Sequence, residues 1–150
     1  MEYLDRIEPI HPKDFHEGLK LIFEPFSLSE TEIIEFAKQF DPLDFHIDKE
    51  AAKKTPFKGL IASGPHIFTL KHRTKWIPVF GHTVIAGMEL NNWKFLKPVY
   101  PDQTIHGSAT IVSVNKNPEK QYSIVKWRYE FKDDKGEMVQ SLEMVIMHKV

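Results

Sequence analysis

The chain has 150 residues, 41% hydrophobic and 27% charged, the balance of one globular domain with a real core. A formal charge of -1 lacks the basic footprint of a sequence-independent nucleic-acid binder. The absence of cysteine excludes disulfides, thiolate metal sites and cysteine nucleophiles.

The start, Met1-Glu2-Tyr3-Leu4-Asp5-Arg6, lacks the basic-then-apolar layout of a signal peptide. No apolar run approaches the roughly 18 residues that cross a bilayer. A cytoplasmic protein without a membrane partner is therefore expected. Residues 1–13 read as an irregular lead-in, and no repeat or linker divides the rest, so residues 1–150 are expected to form a single domain.

Leu19 to Phe26 is apolar and extended enough for a first strand. Ser29-Glu30-Thr31-Glu32 is a capping box, and Ile33, Phe36, Ala37 and Phe40 then mark one face of a helix. Pro42 disfavours helical geometry at Asp41 and ends the helix there. Asp48 caps a short helix over Lys49 to Lys54, which Thr55-Pro56 stops. Pro65 suits the first position of a new helix, with Gly64 or Ser63 as its cap. Ile67, Leu70, Thr74 and Ile77 follow at helical spacing, with Phe68 and Trp76 on other faces, which predicts a largely buried helix.

Beyond Pro78 the pattern is one of strands. Val84 to Met88 and Trp93 to Val99 read as two strands or as one long, bulged strand. Residues 105–114 alternate, with a change of parity around Ser113 that marks a bulge. Val125, Trp127, Tyr129 and Phe131 stand opposite Tyr122, Ile124, Lys126 and Arg128, so apolar side chains are expected on both faces of that strand. Asp133-Asp134-Lys135-Gly136 is a turn, and Met138 to His148 returns. Helices first and antiparallel strands after them give an α+β fold.

Between the first two helices lies Asp41-Pro42-Leu43-Asp44-Phe45-His46-Ile47-Asp48, an acid and an imidazole five positions apart. Ala62-Ser63-Gly64-Pro65 follows, with Gly64 23 residues after Asp41. Alone, such a pair reads more readily as a helix cap and a solvated imidazole than as catalytic groups. The whole run, however, resembles the MaoC-like dehydratases and (R)-specific enoyl-CoA hydratases. Their motif is Asp-x-x-x-x-His, an Asp two further on and a later Gly opening the central helix. Leu43-Asp44 stands where the best-known hydratases carry Asn-Pro, and Ser63-Gly64 where some carry His-Gly. A weaker echo is Trp93-Lys94-Phe95-Leu96-Lys97-Pro98-Val99.

The resemblance implies a single hot dog fold, an antiparallel β-sheet wrapped around a long central α-helix. It implies catalytic Asp41 and His46 sharing a water, and Gly64 as a backbone donor to a thioester oxygen. Ser63, Phe45 and His72 are then expected at the substrate. The implied reaction interconverts a 2-enoyl-CoA, or another enoyl thioester, and an (R)-3-hydroxyacyl product. It needs no metal or prosthetic group, coenzyme A entering only as part of the substrate. Lys53, Lys54, Lys58, Arg73 and Lys75 stand as candidates for its phosphates or as a solvated basic face. A homodimer or higher homo-oligomer is the implied assembly. An acyl-CoA thioesterase and a non-catalytic acyl-CoA-binding domain are the alternatives.

Overall fold

The computed structural model describes residues 3–4 and 8–150. A six-stranded sheet carries β1 (Tyr3–Leu4), β2 (Lys20–Ile22), β3 (Val84–Phe95), β4 (His106–Asn117), β5 (Tyr122–Lys132) and β6 (Met138–Lys149) in the order β1-β2-β4-β5-β6-β3. Only the β1–β2 pair is parallel, and β3 forms an edge. Five antiparallel strands facing a helix make this the hot dog fold, in the α+β class. Of the expected lead-in, residues 1, 2 and 5–7 lie outside the described residues, while Tyr3–Leu4 pairs with Lys20–Leu21 rather than being irregular. Among the described residues no helix is long and apolar enough to cross a membrane.

Local chemistry accounts for the helical half. Helix α1 spans Glu30–Phe40, and its capping box forms: Glu32 N–H donates to Ser29 Oγ at 3.1 Å, and Ser29 N–H to Glu32 Oε1 at 3.1 Å. Asp41 closes α1 at φ -160°, the non-helical backbone that a following proline favours. A single turn, α2 (Asp44–Ile47), follows where the sequence reads as loop. Asp48 then caps α3 (Lys49–Lys53) through the Glu50 and Ala51 N–H groups.

The central helix starts at Pro65 as expected, but it is not uniform. It comprises α4 (Pro65–Lys71), a π segment over His72–Trp76 and α5 (Ile77–Phe80), closed by a 3₁₀ turn over Gly81–Thr83. Pro78 has no N–H and its ring would crowd the Thr74 carbonyl in a regular α turn. The wider turn, in which Ile77 N–H reaches His72 O, relieves that crowding. It also inserts one residue and rotates everything beyond it. The helix, expected to be largely buried, keeps an exposed side that includes Thr69, Arg73, Thr74 and Ile77. Ile67, Phe68 and Lys71 face inward before the π segment, Trp76 at its end, and Val79 and Phe80 after it, with Ile77 left exposed.

The 12-residue β3 is one bulged strand, with register shifts at Val84/Ala86, Gly87/Glu89 and Asn91/Lys94. The β4 bulge lies between Ile111 and Ser113. The first strand is shorter than expected: β2 covers Lys20–Ile22, and only an isolated bridge joins Phe26 to Ile105.

Along β5 burial alternates strictly. Val125, Trp127, Tyr129 and Phe131 are fully buried against the helix, and Arg128 and Lys132 are exposed. The strand's three largest buried aromatics share that one face: Trp127 packs on Trp76 and Phe80, and Tyr129 on Phe68.

Candidate active site

Three separate segments meet at Asp41. The end of α1 delivers its carboxylate, the turn α2 delivers His46, and the run into α4 delivers Ser63 and Gly64. That run is pinned on both sides: Ile61 N–H donates to Phe45 O at 3.2 Å, and Ala62 N–H to Val99 O at 2.8 Å. His46 and Ser63 are buried, whereas Asp41 is partly open.

His46 Nδ1 lies 2.7 Å from the Ile61 carbonyl oxygen. A carbonyl only accepts, so Nδ1 carries the proton and in the neutral ring Nε2 is bare. That nitrogen faces Asp41 Oδ2 at 3.4 Å. Ser63 donates its hydroxyl hydrogen to the same Oδ2 at 2.7 Å. Asp41 Oδ2 thus accepts from Ser63 and lies beside a nitrogen able to take a proton, and a water on the open side would reach both.

Gly64 caps α4 in helical geometry, φ -51° and ψ -49°, so backbone freedom is not what its position demands. Space is: a Cβ there would lie 2.6 Å from a Phe95 ring carbon. No acceptor among the described residues takes the Gly64 N–H. It remains available at a helix start, where the partial charge is positive.

These groups border a cleft of about 380 Å³ whose walls are mainly apolar: Phe57, Ile61, Ala62, Pro65, Ile67, Phe95 and Val99. Two further polar side chains reach it. Lys97 is held by Asp133 at 3.2 Å and by Glu137. Gln140 is buried, and its amide donates to the Gly64 carbonyl at 2.8 Å.

The structure therefore brings together Asp41, His46, Ser63 and Gly64. Phe45 stands behind the cleft, its ring 4.4 Å from the His46 ring centroid, and buttresses the imidazole. His72 lies outside the cleft altogether. It is hydrogen-bonded to the Tyr129 hydroxyl at 2.9 Å and stacked between Phe68 and Trp76. Burial pushes its pKa down to about 4. Of the candidate phosphate-binding cations, Lys53 pairs with Glu50, and Lys54, Lys58 and Arg73 are exposed.

Gln140 and Phe95 are cleft residues that sequence reasoning did not find. Gln140 left one trace, because it shares the parity of Leu142, Met144 and Ile146 on β6, an amide among core positions.

Comparison with known proteins places the chain in a family. The family model described as MaoC like domain matches residues 15–132. The chain belongs to the MaoC-like family. The uncharacterized protein YdeM of Bacillus subtilis (strain 168) is 40% identical over 110 residues, 71% of this chain and 75% of its own. A monoamine oxidase regulatory protein from Archaeoglobus fulgius superposes with a TM-score of 0.82 at 27% identity, over 95% of each chain. A MaoC-like dehydratase from Rhodospirillum rubrum gives 0.80 at 25% identity, over 93% of this chain and 97% of its own.

Proposed function

We propose that this MaoC-like chain is a hydratase/dehydratase that adds water across the C2=C3 bond of a 2-enoyl-CoA, or another 2-enoyl thioester. The observation that carries the reading is one apolar cleft holding a carboxylate, a buried imidazole with a bare nitrogen and an unused backbone N–H.

Asp41 and His46 hold one water between them and exchange its protons. One proton leaves the water as its oxygen bonds to C3. The π electrons of C2=C3 move toward the thioester oxygen, where the Gly64 N–H meets the growing negative charge. A proton returned to C2 completes the addition, and the reverse sequence expels water. One such donor is worth about 3 kcal/mol of transition-state stabilisation in comparable sites. The apolar walls strengthen it by keeping bulk water away. Family resemblance favours syn addition and the (R)-3-hydroxyacyl product. The reaction needs neither metal nor prosthetic group.

We also place the functional unit in the cytoplasm as a homodimer joined along the outer edge of β3. That edge has no partner strand among the described residues, and Ile85, Met88, Leu90, Phe95 and Leu96 are each about half exposed on or beside it. Phe95 also touches Gly64, so such an interface abuts the cleft.

The test is a set of 2-enoyl-CoAs of graded chain length, followed by loss of the conjugated thioester's ultraviolet absorbance, with free thiol measured in parallel. Absorbance loss without thiol release is expected. Thiol release at the same rate would make the protein a thioesterase, and binding without turnover an acyl-CoA-binding domain.

A further inference from the structure

The Ser63-Gly64-Pro65 junction carries both the hydroxyl that holds Asp41 and the free N–H, yet its local sequence does little to hold it still. Glycine restricts its backbone least of all residues, and Pro65 contributes no N–H. The pinning bonds from Phe45 and Val99 stop at Ala62.

Ser63 is tied to Asp41 through its hydroxyl and accepts from the His66 N–H, but the Gly64 carbonyl is anchored from far along the chain. Gln140 on β6 donates from Nε2 to the Gly64 carbonyl at 2.8 Å, and its Oε1 accepts from Trp93 Nε1 on β3 at 3.0 Å. Both ends fix the same orientation of the amide. The Trp93 indole N–H only donates, so it must face Oε1. The Gly64 carbonyl only accepts, so it must face Nε2. The side chain is 3% exposed and sits at a core-parity position, where an unpaired amide would be costly.

We propose that Gln140 is a positioning residue: braced by Trp93, it holds the Gly64 carbonyl, and through that junction aligns the Gly64 N–H and the Ser63 hydroxyl with Asp41. This rests on the hydratase reading and extends it to a residue on the far side of the cleft. Gln140 touches no reacting atom in this role, so it acts on kcat rather than on substrate affinity.

Gln140→Met is the informative variant: it keeps the approximate length and loses both bonds. Gln140→Glu is a poor substitute, because burial favours its protonated acid, which regains a donor for the Gly64 carbonyl. Gln140→Met is expected to lower kcat by about 10-fold with KM changed less than about 3-fold. Trp93→Phe, which removes only the brace, should fall between it and wild type.

A readout independent of turnover is the Gly64 amide resonance. It should shift in Gln140→Met, with the buried Trp127 indole signal unmoved. A Gly64 signal that stays in place, or a wild-type kcat in Gln140→Met, overturns the proposal. A wild-type protein inert toward every enoyl thioester would instead remove the hydratase reading and leave the Gly64 result to be judged on its own.

Discussion

Ser63 and His46 approach the same oxygen of Asp41, the hydroxyl at 2.7 Å as a donor and the imidazole Nε2 at 3.4 Å. The serine is 1% exposed, and its single hydroxyl hydrogen is already given away. We propose that its part is to orient the carboxylate, from a place in the wall of the cleft where the resemblance puts the substrate. Ser63→Ala should therefore lower kcat by about 10-fold with little change in KM, the scale of one hydrogen bond to a charged group. A rise in KM with kcat preserved would return Ser63 to substrate binding.

Asp41→Asn and His46→Ala should each lower kcat by at least about 10²-fold, the lower range for losing a general acid or base. Because both groups act on one water, the double variant should fall little further than the worse single one. Steady-state rates on a proven substrate decide this, and near-normal turnover in either single variant would remove that residue from the mechanism.

Glycine at position 64 is required by space and not by φ, which gives an unusual test. Gly64→Ala retains the backbone N–H but drives its Cβ into the Phe95 ring. Turnover should drop by about 10-fold or more in Gly64→Ala and recover substantially when Phe95→Ala is added. Absence of any recovery would mean that the cleft needs glycine's bare surface for the substrate itself.

The acid sensitivity of the fold follows from buried neutral histidines. His148 is fully buried, accepts from the Trp127 indole at 3.3 Å and is hydrogen-bonded to Thr83. His66 is stacked on Phe36, and its Nδ1 finds no partner among the described residues. Burial lowers both from 6.5 to about 4, with His82 adding to the effect on His148 and Glu32 opposing it at His66. Between those values the unfolded chain binds more protons than the folded one. Stability is therefore fully present above about pH 6.5 and is lost as pH falls toward 4. The loss is at most about 1.4 kcal/mol per pH unit for each histidine. Urea unfolding at pH 7, 6 and 5 should show the decline, and His148→Gln should make it shallower, with His66 and His72 carrying the rest. Equal stability at pH 7 and 5 would contradict the assignment.

What was legible in the sequence is what neighbouring residues decide. The capping box of Ser29 and Glu32, the end of α1 before Pro42, the Asp48 cap and the start of α4 at Pro65 each depend on side chains within a turn of the backbone they satisfy. The meeting of Asp41, His46 and Gly64 was reached only through family resemblance, since no spacing rule places three segments together. The π segment escaped because its cause, Pro78, lies beyond the turn it widens. Gln140 escaped because its partners, Trp93 and Gly64, are 47 and 76 residues away. The aromatics of β5 misled because composition cannot tell two apolar faces from one deep face set against a helix.

The dimer is consequently argued from β3 and not from β5. Two copies of β3 joined edge to edge about a two-fold axis would pair the backbone groups left open there and cover Met88 and Leu90, an isologous contact. The same contact would constrain Phe95, whose ring rests on Gly64, so assembly and catalysis should fail together. Light scattering at micromolar concentration should give twice the 17.5 kDa chain mass. Leu90→Lys, a charge placed on the edge but outside the cleft lining, should yield monomers with reduced turnover while leaving the β5 core intact. A wild-type mass of one chain together with full activity would overturn the dimer, and a monomeric Leu90→Lys with undiminished activity would separate assembly from the chemistry.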